Sequence, residues 1–421
     1  MFDYQKTADA CVKCGRCIPD CTIYSISGDE TRSPRGFIDL LGQYQQNRLP
    51  LNEQTKDIFE SCFLCTHCVS VCPKSLPTDE LIEEIRIDIA KKFGIKWYKR
   101  FFFYLLKNRS LMNALFKASA FFTPLFFKST QEGIVGRFPL PFIQKRLLPP
   151  TPRQTFLEKY PEIIKAKNAK QKVAIFIGCL SNYNYVQVGD SLLKILAHLQ
   201  IDTFLAKEQK CCGAPAHFTG DSQSVQNLME HNITYFEKII QEVDAVLIPE
   251  ATCAAMILHD YQRIAKNDEV MTQRIQNLIP HFFMASDWLF RYTNLAEILA
   301  TKPKQNLQIT YHDPCHARKV LQIYKEPRAL ISQNYTLKEM SNPNACCGFG
   351  GITMQTEKHH YASKVGQSKA HMIQQTQANI VSAECNACRM QLSNAMRQEG
   401  VNVHFAHPLE LIAQALQTEK A

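Results

Sequence analysis

The chain has 421 residues, 17 cysteines, 45% apolar content and 48 Lys and Arg against 39 Asp and Glu, enough for about two to four domains with substantial cores. A cysteine-rich chain this long, opening on Met1-Phe2-Asp3-Tyr4 without a basic region or an apolar run, points to reduced thiols used as metal ligands on the cytoplasmic side of a membrane. It argues against a secreted disulfide scaffold. No run of about 18 uncharged apolar residues is present, which argues against a spanning helix.

Residues 1–95 read as a helical cluster module. Cys11, Cys14, Cys17 and Cys21 are spaced x2, x2, x3, and Cys62, Cys65, Cys68 and Cys72 repeat that spacing, with Pro73 following. This is the bacterial ferredoxin pattern, in which the fourth cysteine of each run ligates the other run's cluster. The spacing therefore assigns one [4Fe–4S] cluster to Cys11, Cys14, Cys17 and Cys72, and a second to Cys62, Cys65, Cys68 and Cys21. Soft thiolates also suit zinc, but eight cysteines in two identical runs fit tetrahedral zinc pairs poorly. Between the runs, a turn at Ser33-Pro34-Arg35-Gly36 leads into a short helix from Gly36 to Tyr44. After them, Ile82, Ile85, Ile89 and Phe93 form one helical stripe over Thr78 to Phe93, expected to shield the clusters.

Residues 96–170 change character. Between Ile89 and Leu157 the only acid is Glu132, whereas the bases include Lys91, Lys92, Lys96, Lys99, Arg100, Lys107, Arg109 and Lys117. Trp97 to Lys128 adds eleven aromatics, with Pro124 interrupting the pattern near its end. Such a basic, aromatic, amphipathic segment suits a membrane interface. The alternative is a pair of helices packed on a neighbouring domain with their bases reaching outward. No RNA-recognition motif accompanies the aromatics, so no nucleic acid is expected. Pro139, Pro141, Pro149, Pro150 and Pro152, with Lys-rich sequence up to Lys172, read as an extended connector.

The remainder is a duplication. Cys211-Cys212-Gly213 and Cys346-Cys347-Gly348 are offset by 135 positions, as are Cys253 and Cys388, while Cys179 and Cys315 differ by 136. Two similar domains are expected, 171–304 and 305–421. Apolar runs at Val173–Ile177, Ala245–Ile248, Leu307–Tyr311 and Ile380–Val381 each precede a cysteine and alternate with helical stretches such as Ser224 to Val243. They indicate α/β units with cysteines at strand carboxyl ends. Adjacent cysteines reach different irons of a distorted or opened cluster more readily than one iron of a cubane, and the following glycine permits close backbone approach. The second repeat offers five thiolates, Cys315, Cys346, Cys347, Cys385 and Cys388. The first offers Cys179, Cys211, Cys212 and Cys253, with Glu250 where the partner of Cys385 would stand. Glu250 can ligate weakly, leave an open position, or mark a zinc or degenerate site, and ligand count does not choose. His312 and His316 flank Cys315 and read equally as tuning or structural residues.

Two ferredoxin motifs followed by two Cys-Cys-Gly domains resemble the iron–sulfur subunit of glycolate oxidase. The resemblance spans almost the whole chain, including His312-Asp313-Pro314-Cys315-His316 and Cys346-Cys347-Gly348-Phe349-Gly350-Gly351. The third subunit of anaerobic glycerol-3-phosphate dehydrogenase, a lactate-utilisation iron–sulfur protein and heterodisulfide reductase subunits are similar. The resemblance implies an α/β chain with a mainly helical ferredoxin domain, and an electron-transfer subunit of an oxidoreductase complex. It implies a separate FAD-containing 2-hydroxy-acid dehydrogenase subunit as donor and the membrane quinone pool as acceptor. The location implied is peripheral, on the cytoplasmic face of the inner membrane. Cys385-Asn386-Ala387-Cys388 completes the family's ligand set for a non-cubane [4Fe–4S] cluster in the second repeat, whereas Glu250 departs from it in the first. The chain has no Gly-x-Gly-x-x-Gly fingerprint, so neither flavin nor nicotinamide is expected in it. The alternative is a heterodisulfide-reductase-like or glycerol-3-phosphate dehydrogenase-associated subunit whose Cys-Cys-Gly cluster itself reduces a disulfide or quinone.

Overall fold

A computed structural model describes residues 2–138 and 146–418; Pro139 and Pro141 of the expected connector lie outside the described residues. The first module is helical. Ser33 caps the Pro34–Gln45 helix by accepting from the Gly36 amide, with proline at the helix start, where its missing N–H costs nothing. The Thr78–Phe93 helix spans the residues its apolar spacing predicts and buries Leu81, Ile82, Ile85 and Ile89. These side chains join Phe37, Leu41, Phe59 and Phe63 in one core.

The basic segment forms two helices, Trp97–Lys107 and Arg109–Phe126. The first buries Lys99, Phe103 and Leu106, while no residue of the second is fully buried. Pro124 lies in the last turn of that helix, where it withholds the amide that would bond the Ala120 carbonyl, and the helix ends two residues later. A hairpin of β1 (Phe127–Ser129) and β2 (Ile134–Gly136) follows.

The expected connector is partly built into the next domain. Thr155 and Glu158 form a capping box on the Phe156–Lys159 helix, Phe156 and Leu157 are buried, and β3 (Ile163–Ile164) adds an antiparallel edge to a sheet. That sheet continues with β4 (Lys172–Ile175), β5 (Asp202–Leu205), β6 (Ala245–Ile248) and β7 (Phe282–Met284), in the order β3-β5-β4-β6-β7 and parallel apart from β3. The second sheet has β8 (Gln308–Tyr311), β9 (Thr336–Leu337), β10 (Ile380–Ser382) and β11 (His404–Ala406) in the order β11-β10-β8-β9, all parallel.

Side chains alternate across a strand, so Val173 and Ile175 enter one core while Ala174 and Phe176 enter another. Both cores contain residues of both sheets: Ile309 and Tyr311 join the former, Val381 and Phe405 the latter. The repeats are therefore fused through two shared cores. They meet at their strand ends, where Ala251 N donates to Glu384 O (2.9 Å) and Asn386 N donates to Glu250 Oε2 (3.0 Å).

Candidate metal centres

The ferredoxin cysteines fall into two groups, each mixing both runs. The Cys17 thiol is pushed up by burial and by the neighbouring Cys11, Cys72 and Cys14. Cys21 rises to about 12 through burial and then through Cys62 and Cys65, and the Cys68 thiol faces Cys62, Cys65 and Cys21. Thus Cys72 lies with the first run and Cys21 with the second. Crowded thiols disfavour one another's ionised forms, and a bound cation reverses that preference. The groups differ in access: Cys14 is exposed and Cys21 is buried.

The second group adjoins the second repeat. The Cys65 and Cys346 thiols are neighbours, and Lys319, four residues after Cys315, donates to Cys65 O (3.1 Å). Cys315, Cys346, Cys347, Cys385 and Cys388 line one cavity, with Cys347 Sγ 3.4 Å from Cys388 Sγ. Cys385 caps the Asn386–Gln398 helix and accepts from Cys388 N (3.4 Å). Gly348, at φ +90°, follows the vicinal pair, and a Cβ there would sit 2.9 Å from Ala362 O. The glycine thus lets the cysteine loop lie directly against the His359–Gln375 helix.

His312 lies with Cys347 and Cys388, their ligand atoms within 4.8 Å of one another. Burial holds His312 well below its ordinary range, and neither ring nitrogen has a hydrogen-bond partner. An orphaned neutral imidazole beside paired thiols fits a soft-metal or cluster site. Its sequence signal was its place three residues before Cys315, which does not reveal its meeting with Cys347 and Cys388. His316 stacks on Phe218, with ring centroids 5.6 Å apart, and sets its Nδ1 3.9 Å from Cys315 Sγ and 3.2 Å from Thr252 Oγ1.

In the first repeat, the thiols of Cys179, Cys211, Cys212 and Cys253 are neighbours, Cys179 beside Cys211, Cys211 beside Cys212 and Cys212 beside Cys253. Glu250 lies beside this set, but its oxygens are engaged: Ser181 Oγ donates at 2.6 Å, and Asn386 donates through both its backbone and its side-chain amide. Burial pushes its carboxyl up to about 7. Glu250 therefore acts as a polar bridge between the repeats. Cys179, Cys212 and Cys253 line the same cavity as the five cysteines of the second repeat, about 240 Å³, which Phe63, Phe102 and Phe349 also line.

Much of the basic segment's charge is used internally. Lys99 is 4% exposed, pairs with Glu357 and donates to Thr353 Oγ1 (2.8 Å). Lys96 reaches the same carboxylate at 2.8 Å, Lys117 pairs with Glu158 (2.9 Å), and Arg109 donates to Lys207 O and Gln209 O. Lys92, Arg100, Lys128 and Arg137 stay exposed, as do Trp97 (79%), Phe121 (77%), Phe122, Leu125 and Phe126. Among the described residues no helix is long and apolar enough to cross a membrane.

Residues 7–76 match the family described as a 4Fe-4S dicluster domain, and residues 173–258 and 309–393 each match the family described as a cysteine-rich domain. The chain belongs to the iron–sulfur proteins that join a dicluster ferredoxin domain to two such cysteine-rich domains. Within that class it is similar to a protein named "Probable glycolate oxidase iron-sulfur subunit" from Bacillus subtilis (strain 168), at 27% identity over 96% of this chain and 93% of the relative. It is also similar to an uncharacterized iron-sulfur protein of Methanococcus maripaludis, at 25% identity over 93% of this chain and 68% of the relative. Lactate utilization protein A 2 of Bacillus cereus (strain AH820) is 28% identical over 58% of this chain and 99% of the relative. A crystal structure of a hypothetical protein from Helicobacter pylori shares the fold, with a TM-score of 0.55 at 9% identity, covering 100% of this chain and 74% of that one. The protein is thus an iron–sulfur electron-transfer protein related to glycolate oxidase and lactate utilization proteins.

Proposed function

We propose that the chain is the electron-transfer subunit of a multisubunit glycolate or lactate dehydrogenase. In this reading it accepts electrons from an FAD-containing subunit and passes them towards the quinone pool at the cytoplasmic face of the inner membrane. The observation that carries this reading is the set of thiol groups, the second of which adjoins the second repeat. Cys11, Cys14, Cys17 and Cys72 form a surface group, Cys21, Cys62, Cys65 and Cys68 lie deeper, and Cys65 touches Cys346 of the second repeat. The first two groups would each hold a [4Fe–4S] cluster. Cys315, Cys346, Cys347, Cys385 and Cys388 would hold a non-cubane one, and Cys179, Cys211, Cys212 and Cys253 a zinc ion or incomplete cluster. When bound, the clusters supply one-electron transfer; the chain spaces them, shields them and supplies their hydrogen bonds.

The exposed aromatics of Trp97–Phe126, beside exposed bases, support contact with an anionic membrane surface. The test is anaerobic copurification of the flavoprotein partner, followed by hydroxy-acid-dependent reduction of the clusters and of a quinone. Reduction by glycolate or lactate supports the assignment, and cluster reduction by neither hydroxy acid overturns it.

A second reading, direct reduction of a disulfide or quinone at the second repeat, is favoured by the cavity that its five cysteines share with Cys179, Cys212 and Cys253. Undiminished disulfide and quinone turnover with an artificial donor in a Cys347→Ser variant would sink it.

A further inference from the structure

Arg86 is a buried cation that makes no ion pair among the described residues, its nearest carboxylates being Glu60 and Glu83. It lies inside the Thr78–Phe93 helix, 3% exposed, and its guanidinium donates to Cys62 O (2.6 Å), Glu60 O (3.4 Å) and Phe218 O (2.8 Å). Its Nε is buried with no acceptor. Lys319 donates to the carbonyl of Cys65 and lies close enough to bias both the Cys65 and Cys315 thiols towards ionisation. Among the described residues neither cation has a carboxylate within ion-pair distance.

Of the carboxylates near Arg86, Glu83 is taken up by Arg263 and His217, while Glu60 lies at the partly exposed rim. Asp79 pairs with Arg263 (3.3 Å), and His67, beside Asp20, is held below its ordinary range by burial and by Lys319. The first group is different. Arg35 donates to Lys13 O (3.3 Å) but is paired with Glu30 (2.9 Å). Lys13 is paired with Asp39 (3.1 Å), both being largely exposed, and Arg16 and Lys74 are in solvent. Paired, hydrated charges act weakly on a nearby site, whereas a buried cation outside any ion pair acts more strongly.

We propose that Arg86 and Lys319 set the reduction potential of the Cys21, Cys62, Cys65, Cys68 site above that of the Cys11, Cys14, Cys17, Cys72 site. The exposed first site is then the one that meets the electron donor, and the contact of Cys65 with Cys346 is the way out. A cubane gains negative charge on reduction, so a fixed positive charge beside it favours the reduced form. The step moves one electron from the first site to the second and transfers no proton. The donor is the reduced flavin of the partner, and the charge of Arg86 is permanent over the working pH range. Both residues act through the cysteine carbonyls they hold, so they are positioning and tuning residues.

This inference rests on the proposed cubane assignments. The test is an EPR-monitored redox titration of the full chain, purified anaerobically, with the first cubane identified by its loss in a Cys14→Ala variant. At the ambient potential that half-reduces the second cubane of the wild type, Arg86→Met is expected to lower its reduced-to-oxidised ratio about tenfold, equivalent to about 59 mV for one electron. The first cubane is expected to stay within twofold. Arg86→Lys, which keeps the charge, is expected to recover most of the shift. Because Arg86 also ties two domains together, Lys319→Met, at a half-buried site with one carbonyl contact, gives an independent reading in the same direction. Unchanged ratios in Arg86→Met and Lys319→Met, or equal shifts of both cubanes, would overturn the proposal. Wild-type protein without two cubane signals would instead overturn the assignment beneath it.

Discussion

Replacing Glu357 by Gln tests how the aromatic arm is held to the second cysteine-rich domain. Its carboxylate pairs with Lys96 and Lys99 and accepts from the Tyr98 hydroxyl (3.0 Å). Burial alone would raise its pKa, but the hydrogen bonds and charges of Lys96, Lys99 and Tyr98 hold it down at about 2, against 4.5 ordinarily. By linkage that depression is worth about 3 kcal/mol, and the 16% exposure of the side chain trims it to about 2–3 kcal/mol. A carboxylate with a depressed pKa contributes this stability in full above its unfolded pKa and loses it as the pH falls through about 2, so the contribution is intact at pH 7. The assay is native-state hydrogen exchange of the Trp97–Lys107 amides at pH 7. Glu357→Gln leaves Lys99 buried without its counter-charge and is expected to lower protection about 30- to 150-fold. Protection within threefold of the wild type would refute the reasoning.

Gly220, at φ +88°, lies so close to the Thr78–Phe93 helix that a Cβ would stand 2.1 Å from Arg86 O; Gly220→Ala is expected to cost about 2–4 kcal/mol and to speed proteolytic cleavage between the ferredoxin module and the rest by at least tenfold. Because Cys14 is exposed and Cys21 buried, brief ferricyanide treatment is expected to bleach the first cubane's EPR signal before the second's, and the reverse order would count against the placement. Replacing both Phe121 and Phe122 by Glu removes exposed apolar surface worth about 1.5–3 kcal/mol per fully buried ring. Flotation with anionic vesicles is expected to weaken at least tenfold while the circular dichroism spectrum stays unchanged; undiminished flotation would contradict membrane contact by this helix.

Local features were the most legible in the sequence. The apolar stripe of Thr78–Phe93 and the apolar runs before Cys179, Cys253, Cys315 and Cys385 declare their periods within a few residues, and helix and strands form where those periods place them. The x2, x2, x3 spacing marks the cysteines of the helical module, and the 135-residue offset marks those that the fold gathers from strand carboxyl ends. Long-range electrostatics were not legible. Arg86 reads as one more base on a helix until the fold brings it to Cys62 and to Phe218, 24 and 132 positions away. Lys99 reads as part of a basic face, yet its partner Glu357 lies far along the chain. Glu250 stands where the repeat's offset puts a cysteine, and only the fold reveals that Asn386, 136 positions on, takes up its carboxylate. The supposed connector likewise hid a capping box and an edge strand, because Pro-rich and Lys-rich composition masks the short apolar pair Phe156-Leu157.

Electron transfer by this chain requires a series of iron–sulfur sites. Iron and acid-labile sulfide analysis of the anaerobically purified full chain, with EPR of the dithionite-reduced protein, tests it most directly. At least two [4Fe–4S] clusters per chain are expected, with a further iron–sulfur signal that disappears in Cys346→Ser; fewer than one [4Fe–4S] cluster per chain would contradict electron transfer through this chain.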